Sequence, residues 1–110
     1  MSAFAGPSGV PPVVGIVGSQ GAFGRWLARF LRERMGVQVI GRDPAGDTAL
    51  SPRELVLRAD VLVFSTPIRH TVAIIDGYVA AAAGDEVGKL WIDLTSIKQQ
   101  PVAAMLRSRA

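Results

Sequence analysis

The 110-residue chain has no cysteine, one histidine and one tyrosine, and aromatic residues make up 6% of it. Without cysteine no disulfide can form, so a fold stapled by disulfides is excluded. No apolar run approaches the roughly 20 residues needed to cross a bilayer. The first residues, MSAFAGPSG, lack the basic start and long apolar stretch of a secretory signal. A cytoplasmic location with no membrane partner is therefore expected. Charge is modest: twelve Lys and Arg against nine Asp and Glu leave +3. Arg25, Arg29 and Arg32 fall at i, i+4 and i+7, the solvated face of a helix whose inward face is expected to be Phe23, Trp26, Leu27, Phe30 and Leu31. No aromatic interleaving or nucleic-acid motif accompanies these arginines, so no nucleic-acid partner is expected, and no metal site either.

What is present is an alternating pattern. Residues 1–11, rich in Gly, Ser, Ala and Pro, read as a flexible segment leading into a single domain over 12–110. Val13 to Val17 reads as a strand, Gln20 to Met35 as a helix ended by Gly36, and Val37 to Gly41 as a second strand. Ser51-Pro52 has the form of a helix start, Ser at the N-cap and Pro at the first helical position, for a short helix to about Arg58. Val61-Leu62-Val63-Phe64 is apolar on both faces, as a strand between two helix layers must be. A helix from about Arg69 to Ala83 follows, with Val72, Ile75 and Val79 on one stripe. Leu90 to Asp93 is the fourth strand, and a last helix is expected over Pro101 to Arg107. Strand and helix alternating in this way predict an α/β fold: a partial, doubly wound, Rossmann-like parallel sheet of about four strands, with helices on both faces. The expected order is 3-2-1-4, with any ligand outside the carboxyl ends of strands one and four.

Between the first strand and its helix stands Gly18-Ser19-Gln20-Gly21-Ala22-Phe23-Gly24, three glycines at three-residue spacing. A sharp strand-to-helix turn presents unpaired N–H groups and the positive end of a helix dipole, which suits a pyrophosphate. On this reading Gly18 makes the turn, Gly21 lets the diphosphate reach the backbone, and Gly24 brings the helix close to the sheet. Asp43 lies 19 positions beyond Gly24 at the end of the second strand, where a carboxylate accepts the ribose hydroxyls of an adenosine and repels a 2′-phosphate. NAD is thus favoured over NADP. Arg42 leaves NADP open, because its guanidinium could stack on adenine or pair with a 2′-phosphate. The bland alternative is that the glycines serve only a tight turn and that Asp43 merely starts a turn with Pro44.

Two further segments, Ser65-Thr66-Pro67-Ile68-Arg69-His70-Thr71 and Asp93-Leu94-Thr95-Ser96-Ile97-Lys98-Gln99-Gln100-Pro101, join the glycine loop in a resemblance. Together they resemble the nucleotide-binding domain of the prephenate dehydrogenases, over most of residues 12–107. The resemblance implies NAD(P)-dependent oxidative decarboxylation of prephenate to 4-hydroxyphenylpyruvate in tyrosine biosynthesis, with prephenate or arogenate as substrate and a homo-oligomeric enzyme. It implies that Ser96 acts at the nicotinamide and the substrate hydroxyl, with Thr95 beside it, and that Ser65, Thr66 and Pro67 line the nicotinamide-ribose side. For Thr95 and Ser96 the plain alternative is capping of the last helix. The family's general base and substrate-binding arginines belong to segments beyond Ala110. His70 falls outside the family's catalytic segment and reads as a rim residue. The chain is accordingly expected to be the cofactor half of an enzyme, unable to turn over prephenate alone. Readings of another class are a non-catalytic nucleotide-sensing or docking module, and the NAD-binding domain of another small hydroxy-acid dehydrogenase.

Overall fold

A computed structural model of the chain describes residues 11–94. The elements run β1 (Val13–Val17), α1 (Ala22–Met35), β2 (Gln38–Arg42), α2 (Pro52–Arg58), β3 (Val61–Phe64), α3 (Ile68–Ala82) and β4 (Leu90–Asp93). The expected helix over 101–107 and all of the expected lead-in except Pro11 lie outside the described residues. Among the described residues no helix is long and apolar enough to cross a membrane.

All four strands are parallel, with β1 beside β2 from Val13↔Gln38 to Val17↔Arg42, and beside β3 from Val14↔Val61 to Val17↔Phe64. Strand β4 pairs with β3, Val61↔Leu90 to Phe64↔Asp93. Alternation along each strand divides the core between the two faces. Val14, Ile16, Val39 and Val63 pack beneath α1, whereas Val17, Leu62 and Phe64 meet Leu55 and Val56 of α2, its C-cap Ala59, and Tyr78 and Ala82 of α3. The Tyr78 ring stands edge-on to Phe64, with centroids 5.6 Å apart.

The strand order is 2-1-3-4, not the expected 3-2-1-4. The third strand takes the interior place between β1 and β4, and β2 becomes an edge. Burial follows the placement: Leu62, Val63 and Phe64 of the interior strand are all buried, while Gln38 of the edge strand β2 is exposed, and covered faces alone do not select a strand's neighbours. The outer edge of β2 is also sealed, since Arg32 Nη2 donates to the Val39 carbonyl at 3.1 Å and Asp43 pairs with Asp47 in an isolated bridge just past the strand. Strand β4 is the other edge of the sheet, and Leu90 on it is 56% exposed. Association through this edge is the expected consequence. Light scattering should find a mass that rises with concentration and falls to the monomer in Leu90→Lys; a clean monomer at high concentration would count against it.

Helix α1 begins two residues later than predicted, because Gly18 to Gly21 form a turn closed by Gly21 N–H donating to the Gly18 carbonyl at 3.3 Å. Its inward face also differs. Gly24, Leu27, Ala28, Leu31 and Met35 face the sheet, while Trp26 is 55% and Phe30 41% exposed, their rings stacked at 5.3 Å. Gly24 sets this rotation: a Cβ there would lie 2.2 Å from the Gly18 oxygen, so only the bare side of the helix can approach so closely. A similar shift occurs on α3, where Thr71, Ile74, Tyr78 and Ala82 turn inward and Val72 is 73% exposed. Ile75 packs against the core as predicted, but Val79 does not join it.

Helix α2 carries the full start signal. Ser51 Oγ accepts from Glu54 N–H at 3.1 Å, and Glu54 Oε1 accepts from Ser51 N–H at 3.0 Å. The Ser51 N–H bond to its carboxylate, with the Ser51 hydroxyl close by, lowers the Glu54 carboxyl from its ordinary value. Cations finish two helices: Lys89 Nζ donates to the Leu57 and Ala59 carbonyls, and Arg53 Nη1 to those of Ala81 and Ala82.

Candidate functional site

The reversal of strand order lies between β1 and β3, so the crevice opens at their carboxyl ends. Two backbone bonds frame it: Gly18 N–H donates to the Arg42 carbonyl at 2.9 Å, and Ser65 N–H to the Val17 carbonyl at 2.8 Å. Gly18, Ser65 and Thr66 therefore converge, as expected. Asp93 is one strand further out, opposite Phe64. Thr95 and Ser96 lie outside the described residues.

The three glycines of the loop separate into two kinds. Gly18 has φ +89°, and a Cβ there would sit 2.0 Å from the Ser65 oxygen; Gly24 is pressed on Gly18 in the manner already described. The fold alone demands glycine at both. Gly21 is different: its φ of −68° and ψ of 162° suit any residue, and a Cβ would meet nothing nearer than the Gly18 oxygen at 3.6 Å. It is the N-cap of α1, yet it has no side chain to cap the helix, and the first turn holds no acidic residue. Neither the N-cap nor the first turn of α1 supplies an anion, and the carboxylate that reaches this end of the 14-residue helix is Asp43, bonded to Gln20 N–H one residue before the N-cap. Ala22 and Phe23 form the first turn, and Phe23 packs against Trp26 with ring centroids 5.6 Å apart.

Two carboxylates hold the loop from the far side. Asp43 Oδ2 accepts from Gln20 N–H at 3.0 Å and Oδ1 from Ala45 N–H at 2.9 Å. Asp43 thus anchors the loop as well as marking the end of β2, and each oxygen keeps a lone pair for a further donor. The second carboxylate, Asp47, is one that sequence reasoning misses: Ser19 Oγ donates to its Oδ2 at 2.6 Å. The only local signal is an acid four residues after Asp43 in a turn, and its partner is 28 residues away.

A cleft of about 310 Å³ runs from Gly18 and Asp43 to Thr66, Pro67, His70 and Tyr78. Arg42 faces this cleft with its Nη1 donating to the Leu50 carbonyl at 2.6 Å, which fixes the guanidinium as part of the wall. Thr66 is buried, its Oγ1 hydrogen-bonded to Thr71 Oγ1 at 2.9 Å, and Thr71 donates to the Pro67 carbonyl at 3.0 Å, tying the first turn of α3 to the end of β3. Pro67 is the exposed N-cap of α3, and His70 is exposed on the rim. Burial pushes the Tyr78 phenol up to about 12, with the Arg42 charge opposing the rise, so it stays a neutral hydroxyl. On the other side of the loop a more open groove of about 570 Å³ is bordered by Ser19, Gln20, Asp47, Arg25, Arg29 and Arg32.

The arrangement offers the uncovered backbone of Gly21 at a helix start, a narrow apolar cleft beside it and carboxylates at the end of β2. These are the parts needed to hold a nucleotide with its phosphates on the loop. Comparison with known proteins attaches no family to this geometry: no protein-family model matches the chain, no curated protein matches it, and no solved structure matches it.

Proposed function

We propose that the chain is an NAD-binding domain of a dehydrogenase and, on the resemblance of its loop segments, of the prephenate dehydrogenase kind. The observation that carries the dinucleotide reading is Gly21. Neither the backbone angles nor the space around Gly21 requires glycine, and although glycine is an acceptable N-cap it leaves the backbone open to a group from outside. A ligand group approaching the backbone from outside accounts for both the missing Cβ and the missing cap, and a diphosphate is the group that a helix N-terminus favours.

In this reading the pyrophosphate lies against Gly21 and the start of α1. The adenosine enters the cleft with its base against Arg42 and its ribose hydroxyls donating to the free lone pairs of Asp43. The bond from Nη1 to Leu50 holds the Arg42 guanidinium in the cleft wall, where its plane can face the base, and it is the Asp43 carboxylate that favours NAD over NADP. Ser65, Thr66 and Pro67 lie on the nicotinamide side, where Ser96 and Thr95 would join them. NAD, when bound, supplies a hydride acceptor. The protein's part is to orient it and keep water from its reactive face. Prephenate or arogenate as substrate, the role of Ser96 and inactivity of the chain alone follow from the resemblance.

Calorimetric titration of NAD and NADP into the chain at one fixed salt concentration tests this. NAD should bind at least about tenfold more tightly than NADP, and Asp43→Ala should abolish binding. If the folded chain binds neither nucleotide, the cofactor reading falls.

A further inference from the structure

The site has a second acidic side chain whose placement the dinucleotide reading does not by itself explain. Asp47 is brought to the end of β2 by backbone bonds: Asp43 N–H donates to the Asp47 carbonyl at 2.8 Å, and Asp47 N–H to the Asp43 carbonyl at 2.9 Å. Its carboxylate then turns back over the strand to reach Ser19, which is 8% exposed. The strand makes room for this. At Gly41 a Cβ would lie 2.6 Å from Asp47 Oδ2 and 2.7 Å from Ser19 Cβ, so any other residue at that point of β2 would drive the two side chains apart. A glycine within a strand weakens it, and what it makes possible here is the junction between Asp47 and the loop.

Charge gives the junction a second consequence. Among the described residues neither Asp43 nor Asp47 forms an ion pair with a Lys or Arg. The two central residues of the loop, Ser19 and Gln20, are therefore each held by an unneutralised carboxylate. The cation joined to the loop is Arg25, whose Nη2 donates to Gln20 Oε1 at 3.2 Å; Arg29 and Arg32 border the groove that Asp47 faces and Arg42 lines the cleft beside Asp43, none of them within ion-pair distance of either carboxylate.

We infer that Asp47 is a positioning and specificity residue: through Ser19 it sets the loop for the diphosphate, and its charge, added to that of Asp43, excludes dinucleotides phosphorylated on the adenosine ribose. This rests on the dinucleotide reading. The two parts separate by substitution, because Asp47→Asn keeps an acceptor for Ser19 and removes the charge, while Asp47→Ala removes both.

When both nucleotides are titrated into each variant, Asp47→Asn should raise NADP affinity relative to NAD by about fivefold or more. Asp47→Ala should weaken NAD by about fivefold, and Ser19→Ala should do the same. A ratio of NAD to NADP affinity unchanged by Asp47→Asn would overturn the specificity role. Unchanged NAD affinity in Asp47→Ala would overturn the positioning role. If neither nucleotide binds even the unaltered chain, both this inference and the reading beneath it fall. Salt gives a second test: between about 0.05 M and 0.5 M the preference for NAD should shrink more in the unaltered chain than in Asp47→Asn, since one of two screened charges is gone in the variant, and an equal change in both would rule the Asp47 charge out.

Discussion

Gly18→Ala is expected to remove the cooperative unfolding transition of this domain, or to lower its stability by about 3–5 kcal/mol. Two costs combine. The backbone stands at φ +89°, where an L side chain is strained by about 1–2 kcal/mol. The added methyl would also lie 2.0 Å from the Ser65 oxygen, just past the carboxyl ends of β1 and β3, where the atom in the way is backbone and cannot rotate aside. Relief requires β1 and β3 to part at their carboxyl ends, just where Ser65 N–H donates to Val17. A domain of this size commonly has only about 5–15 kcal/mol of total stability, so such a loss is a large share of it. Gly24→Ala should behave similarly, because its methyl would push α1 off Gly18 and Ser19. Urea unfolding followed by far-ultraviolet circular dichroism reads both, and a Gly18→Ala midpoint close to that of the unaltered chain would refute the account of the turn.

Gly21→Ala, by contrast, is expected to leave stability within about 1 kcal/mol while weakening NAD by about tenfold or more. The backbone there suits alanine, and the new methyl would touch only the Gly18 oxygen, at an ordinary van der Waals distance of 3.6 Å. Any penalty must then come from what approaches the loop from outside. The experiment needs both readings on the same sample, the unfolding midpoint and the titration. Stable protein with lost binding places the diphosphate at Gly21. Stable protein with intact NAD binding means that no ligand comes so close there, and the argument from the missing side chain fails. Set beside Gly18→Ala, the pair divides a three-glycine string into residues demanded by the chain and a residue reserved for a ligand.

Much of this is legible in the order of residues. The alternation of apolar runs with amphipathic stretches locates every described strand and helix to within two residues, and the Ser51-Pro52 start of α2 proves to be a full capping box with Glu54. The glycine spacing marks the strand-to-helix turn, and Asp43 marks the end of β2. Where expectation and structure part, the missing information is not local. Trp26 and Phe30 have the spacing of core residues, but the contact of Gly24 with Gly18 rotates α1 so that both face outward. Val61 to Phe64 has the composition of a strand covered on both faces, and the structure agrees, yet that composition does not say which strands are its neighbours.

By itself, then, the sequence determined the elements, their two-layer cover and the glycine turn, because these follow from periodicity and backbone preference over a few residues. Only the tertiary structure decided the order 2-1-3-4, the anchoring of Ser19 by Asp47 across 28 residues, and which glycines answer to the fold. The physical reason is that strand placement and side-chain pairing at long range depend on which edges are sealed and which backbones touch, and neither is written in the spacing of neighbouring residues.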